Sequence, residues 1–158
     1  MLGPQVNLLI ATRKAVEALR GQSPEQLSWL GATGAGAAWR VPVLGSALSA
    51  DLVAGTVLAP DGRDVHAAWR LIVLHYLAAG SRPAPARPAV TFADLPGGRT
   101  YAKVYEQRVT ARLCAGVGRD RKALTSAAVA LGARRADAGD AASDLDVFPR
   151  VPVRLVWH

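Results

Sequence analysis

Sulfur and long apolar runs are what this chain has least of. Its 158 residues hold one cysteine, Cys114, and one methionine. A single thiol excludes an intrachain disulfide and a cluster of cysteine ligands. On a helical pattern a lone cysteine reads as a small apolar side chain. Arg112 stands near it, but no histidine lies close in sequence to serve as a base. No apolar run approaches the roughly 18–20 residues that span a bilayer. The apolar patch from Val6 to Ala11 is followed, not preceded, by Arg13 and Lys14, the reverse of a secretory signal. The expectation is a cytoplasmic protein without a membrane segment. Histidine is scarce as well: His66, His75 and His158. The first two lie on one predicted helix about 900° of turn apart, on opposite faces, so they cannot share a metal by themselves.

Apolar residues make up 51% of the chain and mean hydropathy is +0.16, which describes a folded protein. The length fits a single domain with one core. Net charge is +7. Such a balance fits an anionic partner: nucleic acid, phosphate or a carboxylate-rich ligand. It also follows from a composition heavy in Ala, Arg, Gly, Pro and Val, with no partner at all.

Residues 4–20 read as an N-terminal helix with Val6, Leu9, Ile10, Val16 and Leu19 near one face, stopped by Gly21. Ser23-Pro24-Glu25-Gln26 starts the next, with Ser23 as N-cap and Gln26 closing a capping box. Gly31 to Gly36 reads as a flexible connection. Its spacing lacks the Lys-Ser/Thr of a phosphate loop, and a strand, not a helix, comes next. Trp39–Leu44 and Leu52–Leu58 are strand candidates, with Pro42 placing the first at an edge. A Pro60-Asp61-Gly62 turn leads to a helix over 65–79 capped by Asp64, its apolar face Trp69, Ile72, Val73, Tyr76 and Leu77. Residues 81–89 form a Pro-rich loop. A short strand at Val90–Phe92 precedes a helix over Tyr101–Ala115. A helix over Arg121–Leu131 ends at Gly132, a polar connection over 133–146 allows one short strand, and Val151–Trp157 closes as a strand. Helices not interleaved regularly with strands indicate an α+β fold: one domain over 1–158, a small, mainly antiparallel sheet and four to five helices.

Phe92-Ala93-Asp94-Leu95-Pro96-Gly97-Gly98-Arg99-Thr100-Tyr101 is the most informative stretch. It puts a tight turn, a cation and an aromatic at a helix start, where loops on a rigid scaffold carry function. Asp137, Asp140, Asp144 and Asp146 crowd four carboxylates into ten residues. Their spacing is not that of a calcium loop, so they read as a solvated acidic segment able to pair with Arg108, Arg112, Arg119, Arg121 and Lys122. That basic stretch, with Tyr101 and Tyr105, could also meet single-stranded nucleic acid by charge and stacking. Only nine aromatic residues in the chain argue against it.

Several segments in order resemble one family. They are Trp39-Arg40-Val41-Pro42-Val43-Leu44-Gly45, Pro60-Asp61-Gly62-Arg63, Leu74-His75-Tyr76-Leu77, Phe92 to Tyr101, Leu131-Gly132-Ala133 through Gly139-Asp140-Ala141-Ala142, Phe148-Pro149-Arg150-Val151-Pro152-Val153, and Val156-Trp157. Over roughly residues 25–157 the chain resembles the domain of unknown function 3786, a prokaryotic family with some algal members. The resemblance implies an accessory or binding role linked to corrinoid and iron–sulfur metabolism. The chain departs from the pattern in having no iron–sulfur cysteine motif and in stopping at Trp157-His158, where members continue through an acidic segment.

The residues together point to a non-catalytic binding or accessory module for an anionic, cofactor-like ligand or a protein partner. Arg99 would contact the anion, Tyr101 would stack or hydrogen-bond, His75 and Tyr76 would form neighbouring walls, and Asp140 would orient the ligand. The cofactor itself is not legible, and no metal set is. A nucleic-acid interface on Arg108, Arg112, Arg119, Arg121 and Lys122 is the second reading, an enzyme with His75 as base the third, and a subunit of a larger assembly the fourth.

Overall fold

The computed structural model describes residues 4–82 and 89–158. The fold is α+β, with two small antiparallel sheets, of four and three strands, among the described residues. By its contacts the chain divides into two compact units, residues 1–82 with 146–152 and residues 83–145 with 153–158.

The first unit opens with helix α1 (Pro4–Leu19). Its buried residues are Ala15 and Leu19, one turn apart, with Val16 packed beside them. Leu9 and Ile10, expected inside, are exposed, and the side chain of Val6 lies outside what is described. Helix α2 (Pro24–Trp29) starts as expected: the Ser23 hydroxyl accepts the Gln26 N–H at 3.1 Å. Gln26 does not close a capping box. Its buried amide instead donates to the carbonyls of Ala79 at 3.0 Å and Ser81 at 3.4 Å and accepts from Arg82 Nε at 2.7 Å. A buried amide must find such partners, and these tie the chain after the third helix to α2.

Four strands come next as a meander: β1 (Thr33–Ala35), β2 (Ala38–Val43), β3 (Ser46–Asp51) and β4 (Thr56–Leu58). The glycine-rich stretch is therefore not a flexible connection. Gly34 lies in β1, where a Cβ would collide with the Ala38 carbonyl oxygen, and Gly36 turns the chain at φ +57°. Trp39, Val41 and Val43 of β2 point alternately into the core. β2 is an inner strand, but β1 reaches only as far as the Thr33–Arg40 pair, so Pro42 has no strand partner on that side. The strand expected over 52–58 is shorter, because residues 52–55 form a turn. There the Asp51 carboxylate accepts the N–H groups of Val53 and Ala54, and Gly55 adopts φ +68°.

Helix α3 (Ala67–Leu77) is capped by His66, whose Nδ1 accepts the Ala68 N–H at 3.2 Å, not by Asp64. Asp64 is drawn instead into a bridge with Leu58 and an ion pair with Arg70. Val73, Leu74, Tyr76 and Leu77 are buried and Trp69 is half-buried, while Ile72 is exposed. The residues at 146–152 complete this unit from far along the chain. Phe148 stacks on Tyr76 with centroids 4.2 Å apart and planes 11° apart. The Tyr76 hydroxyl donates to the Leu30 carbonyl. Pro149 lies against Gly31, where a Cβ would meet its Cγ at 2.6 Å.

In the second unit the expected strand Val90–Phe92 is a 3₁₀ turn, Phe92–Asp94. Thr91 donates both its N–H and its hydroxyl to Asp94 Oδ2, at 2.9 and 2.6 Å, which closes the segment locally before it can pair. The Thr91 hydroxyl and then its N–H hold the Asp94 carboxyl below its ordinary value. Gly97, left-handed at φ +75°, leads into α4 (Gly98–Tyr105). A π-helical turn, Glu106–Thr110, continues it into α5 (Ala111–Ala115), so the helix expected from Tyr101 begins three residues earlier. Its start is fastened by Gly98 against the Phe92 carbonyl and by Tyr105 stacked on Phe92 at 4.3 Å.

Helix α6 (Arg121–Ala130) begins at Asp120, whose carboxylate accepts the N–H groups of Lys122 and Ala123, and Gly132 ends it at φ +81°. The polar connection over 133–146 is two strands, β5 (Arg134–Ala136) and β6 (Ala141–Phe148). Strand β7 (Val151–Trp157) forms where expected, giving the order β5-β6-β7. Asp144 pairs with Arg154 through two bonds of 2.7 and 2.8 Å, not with the Arg108–Lys122 stretch. Residues 83–88 of the Pro-rich loop lie outside the described residues.

These local geometries have measurable consequences. Gly98→Ala should lower the unfolding free energy by about 1–3 kcal/mol in a denaturant titration, because the added methyl meets a carbonyl and not a flexible side chain. Gly21→Ala, with nothing near its Cβ, should change it by about 0.5 kcal/mol or less. The Arg154 guanidinium holds the Asp144 carboxyl below its ordinary value. A depressed carboxylate contributes stability above its unfolded pKa and loses it as pH falls through the folded one. NMR titration should therefore place Asp144 below the usual carboxylate range, and Arg154→Gln should raise it. The stability gap between that variant and the parent should narrow as pH drops below roughly 4. An unmoved Asp144 midpoint would contradict the pairing.

Candidate functional site

The residues singled out from sequence divide between the two units. Arg99, Tyr101 and Asp140 belong to the second, His75 and Tyr76 to the first. Arg99 and Tyr101 lie in the first turn of α4 and both are exposed, Tyr101 at 62%. Asp140 sits in the turn before β6, exposed, its backbone N–H donating to the Trp157 carbonyl at 2.9 Å. His75 is exposed on α3, whereas its neighbour Tyr76 is buried. Successive helical residues are turned about 100° apart, so one faces solvent as the other enters the core. The Tyr76 hydroxyl is already committed to Leu30, and burial pushes its pKa up, opposed by the backbone and charge of Arg150. Among the described residues no three His, Cys, Asp or Glu side chains gather to hold a metal ion. No described helix is long and apolar enough to cross a membrane.

The basic residues behave differently, because one unit carries most of them. Eleven lysines and arginines stand against six carboxylates in the second unit's segments, and eight against six in the first. The excess is concentrated in residues 98–122. There Arg99, Lys103, Arg108, Arg112, Arg119, Arg121 and Lys122 face only Glu106 and Asp120. Every one of these seven cations is exposed. Of the two acids, Asp120 is occupied in capping α6.

The helix that carries most of the cations is exposed from residue 99 to residue 112, with Leu113 and Cys114 half-buried beyond it. Tyr101, Val104, Tyr105 and Val109 fall near one face and each is at least 38% exposed, although one face of the Tyr105 ring is covered by Phe92. The result is an apolar stripe with cations along its borders.

Sequence reasoning found the cations and tyrosines but missed a second cluster, in the first unit. Arg150 lies over the Trp29 ring, its guanidinium carbon 4.5 Å from the centroid, and its Nε donates to the Trp29 carbonyl at 2.9 Å. Arg82 lies 5.9 Å from the same centroid, with its Nε donating to Gln26. These residues stand 53 and 121 positions from Trp29, and no local pattern joins them. The first unit also has a cleft of about 310 Å³ between α1, α2 and the sheet, lined by Val16, Leu19, Leu27, Trp39 and Leu52 with Arg20 beside them. None of the five ligand residues expected from sequence lines it.

Comparison with known proteins bears on the whole of this arrangement except α1. No curated protein and no solved structure matches the chain. The profile of one family, the domain of unknown function DUF3786, matches residues 24–158, which takes in every element from α2 to β7. The chain belongs to that family.

Proposed function

We propose that this protein is a binding module that presents the helix of residues 98–115, with the start of α6, to an acidic protein partner. The observation that carries the reading is the exposure of that helix. An amphipathic helix normally buries its apolar stripe. Here Tyr101, Val104, Val109 and the part of Tyr105 that Phe92 leaves uncovered remain in solvent beside Arg99, Lys103, Arg108 and Arg112. A helix laid into an apolar groove with an acidic rim would cover the first set and neutralise the second. The contiguous stripe favours a protein over a polyanion without apolar surface. Exposed tyrosines among arginines also fit single-stranded nucleic acid, which makes that the competing occupant.

The two occupants separate in one experiment. A photo-crosslinking residue at position 104, introduced in the protein's own host, should form an adduct with an acidic protein. The adduct should fall at least about tenfold when Lys103, Arg108 and Arg112 are changed to Gln, and also when Tyr101 and Tyr105 are changed to Ser. Adducts with nucleic acid would transfer the role to the second reading. A yield no higher than from the same crosslinker at the exposed Val53 would overturn both.

A further inference from the structure

The Trp29 cluster is independent of the basic helix and lies wholly in the first unit. Two arginines from distant segments converge on one indole, through guanidinium carbons 4.5 and 5.9 Å from its centroid. They are therefore at most about 10 Å apart, the sum of those distances. Two positive charges on one indole can hold an anion if their donors are both fixed and left open, a requirement with two parts.

Their hydrogen bonds supply one half of it. Each arginine spends its Nε on an internal acceptor, Arg150 on the Trp29 carbonyl and Arg82 on the Gln26 amide oxygen. A guanidinium has five N–H donors. With Nε occupied and the plane fixed near the indole, the Nη edge remains as a preorganised fork of the kind that binds phosphate in bidentate fashion. Both residues are exposed. Glu25 is the acid that bears on Arg82. Its carboxyl is held low first by its own backbone N–H and then by Ser23, with a smaller contribution from the charge of Arg82.

We propose that Arg82 and Arg150, braced on Trp29, form a binding site for a diphosphate group. One phosphate would fill one fork. Two linked phosphates present oxygens to both, and they offset the repulsion between the guanidinium groups. Trp29 holds the forks in place and reports on them.

Titration of the full chain with inorganic pyrophosphate tests this, followed by tryptophan fluorescence and by calorimetry. The expected result is saturable binding, at least about tenfold tighter than for orthophosphate. Arg82→Lys and Arg150→Lys keep the charge but lose the fork, and each should weaken binding about tenfold or more. Trp29→Phe should remove most of the fluorescence change. Arg108→Gln with Arg112→Gln should leave binding unchanged. Circular dichroism monitors folding, and Arg82→Lys decides the matter if Arg150→Lys does not fold. No binding, equal affinity for the two phosphates, or lysine variants that bind like the parent would overturn the site. Loss of binding in the Arg108/Arg112 variant would place the anion on the basic helix instead.

Discussion

The Tyr76 side chain is the contact on which the first unit depends. Its ring takes the face of Phe148, and its hydroxyl takes the Leu30 carbonyl at the end of α2. Segments 46 and 72 residues from Tyr76 in sequence are closed around one side chain. Stacked aromatic pairs contribute about 0.5–1.5 kcal/mol beyond the area they bury, and a buried phenol without its acceptor would cost about 1–3 kcal/mol. The contact also positions the next two residues of the chain. Once Phe148 is seated, Pro149 falls against Gly31 and Arg150 reaches Trp29. The arginine cluster is thus a consequence of core packing.

The two units differ in how they use their apolar residues. The hydrophobic cluster built on Val41, Val57, Val73, Leu74 and Leu77 lies in the first. In the second, the buried apolar residues among those described are small or few: Ala128, Ala142 and Leu145. Several larger ones, among them Tyr101, Val104, Tyr105 and Val109, are exposed. Local stability rises with buried apolar contact, so the second unit has the less protected backbone. The acidic partner proposed above would cover that apolar, positively charged surface.

The sequence was legible where a local rule had no competitor. Gly132 ended α6, Ser23 capped α2, and the alternating run Val151–Trp157 formed β7. It misled where a tertiary partner outbid the local one. Gln26 left its capping box for three partners around residues 79–82, and Asp64 left its cap to His66 for Arg70. Ser46-Ala-Leu-Ser-Ala-Asp has no β-branched residue, yet it forms β3 because β2 and β4 pair with it on either side. Thr91 and Asp94 turned an apparent strand into a 3₁₀ turn by bonding each other. Of the candidate site, the cations and tyrosines of residues 99–122 were readable one by one. Their shared exposure was not, and neither was the meeting of Arg82 and Arg150 on Trp29, because side chains that far apart in sequence are joined only by the fold.

The seating of Phe148 in the first unit's core is the claim on which most else rests. Denaturant unfolding of Phe148→Ala, monitored by tryptophan fluorescence, tests it most directly. If Phe148 completes the core against Tyr76, the variant should lose about 3–5 kcal/mol of stability. A loss below about 1 kcal/mol, the range of a surface aromatic, would mean that residues 146–152 are not part of that core.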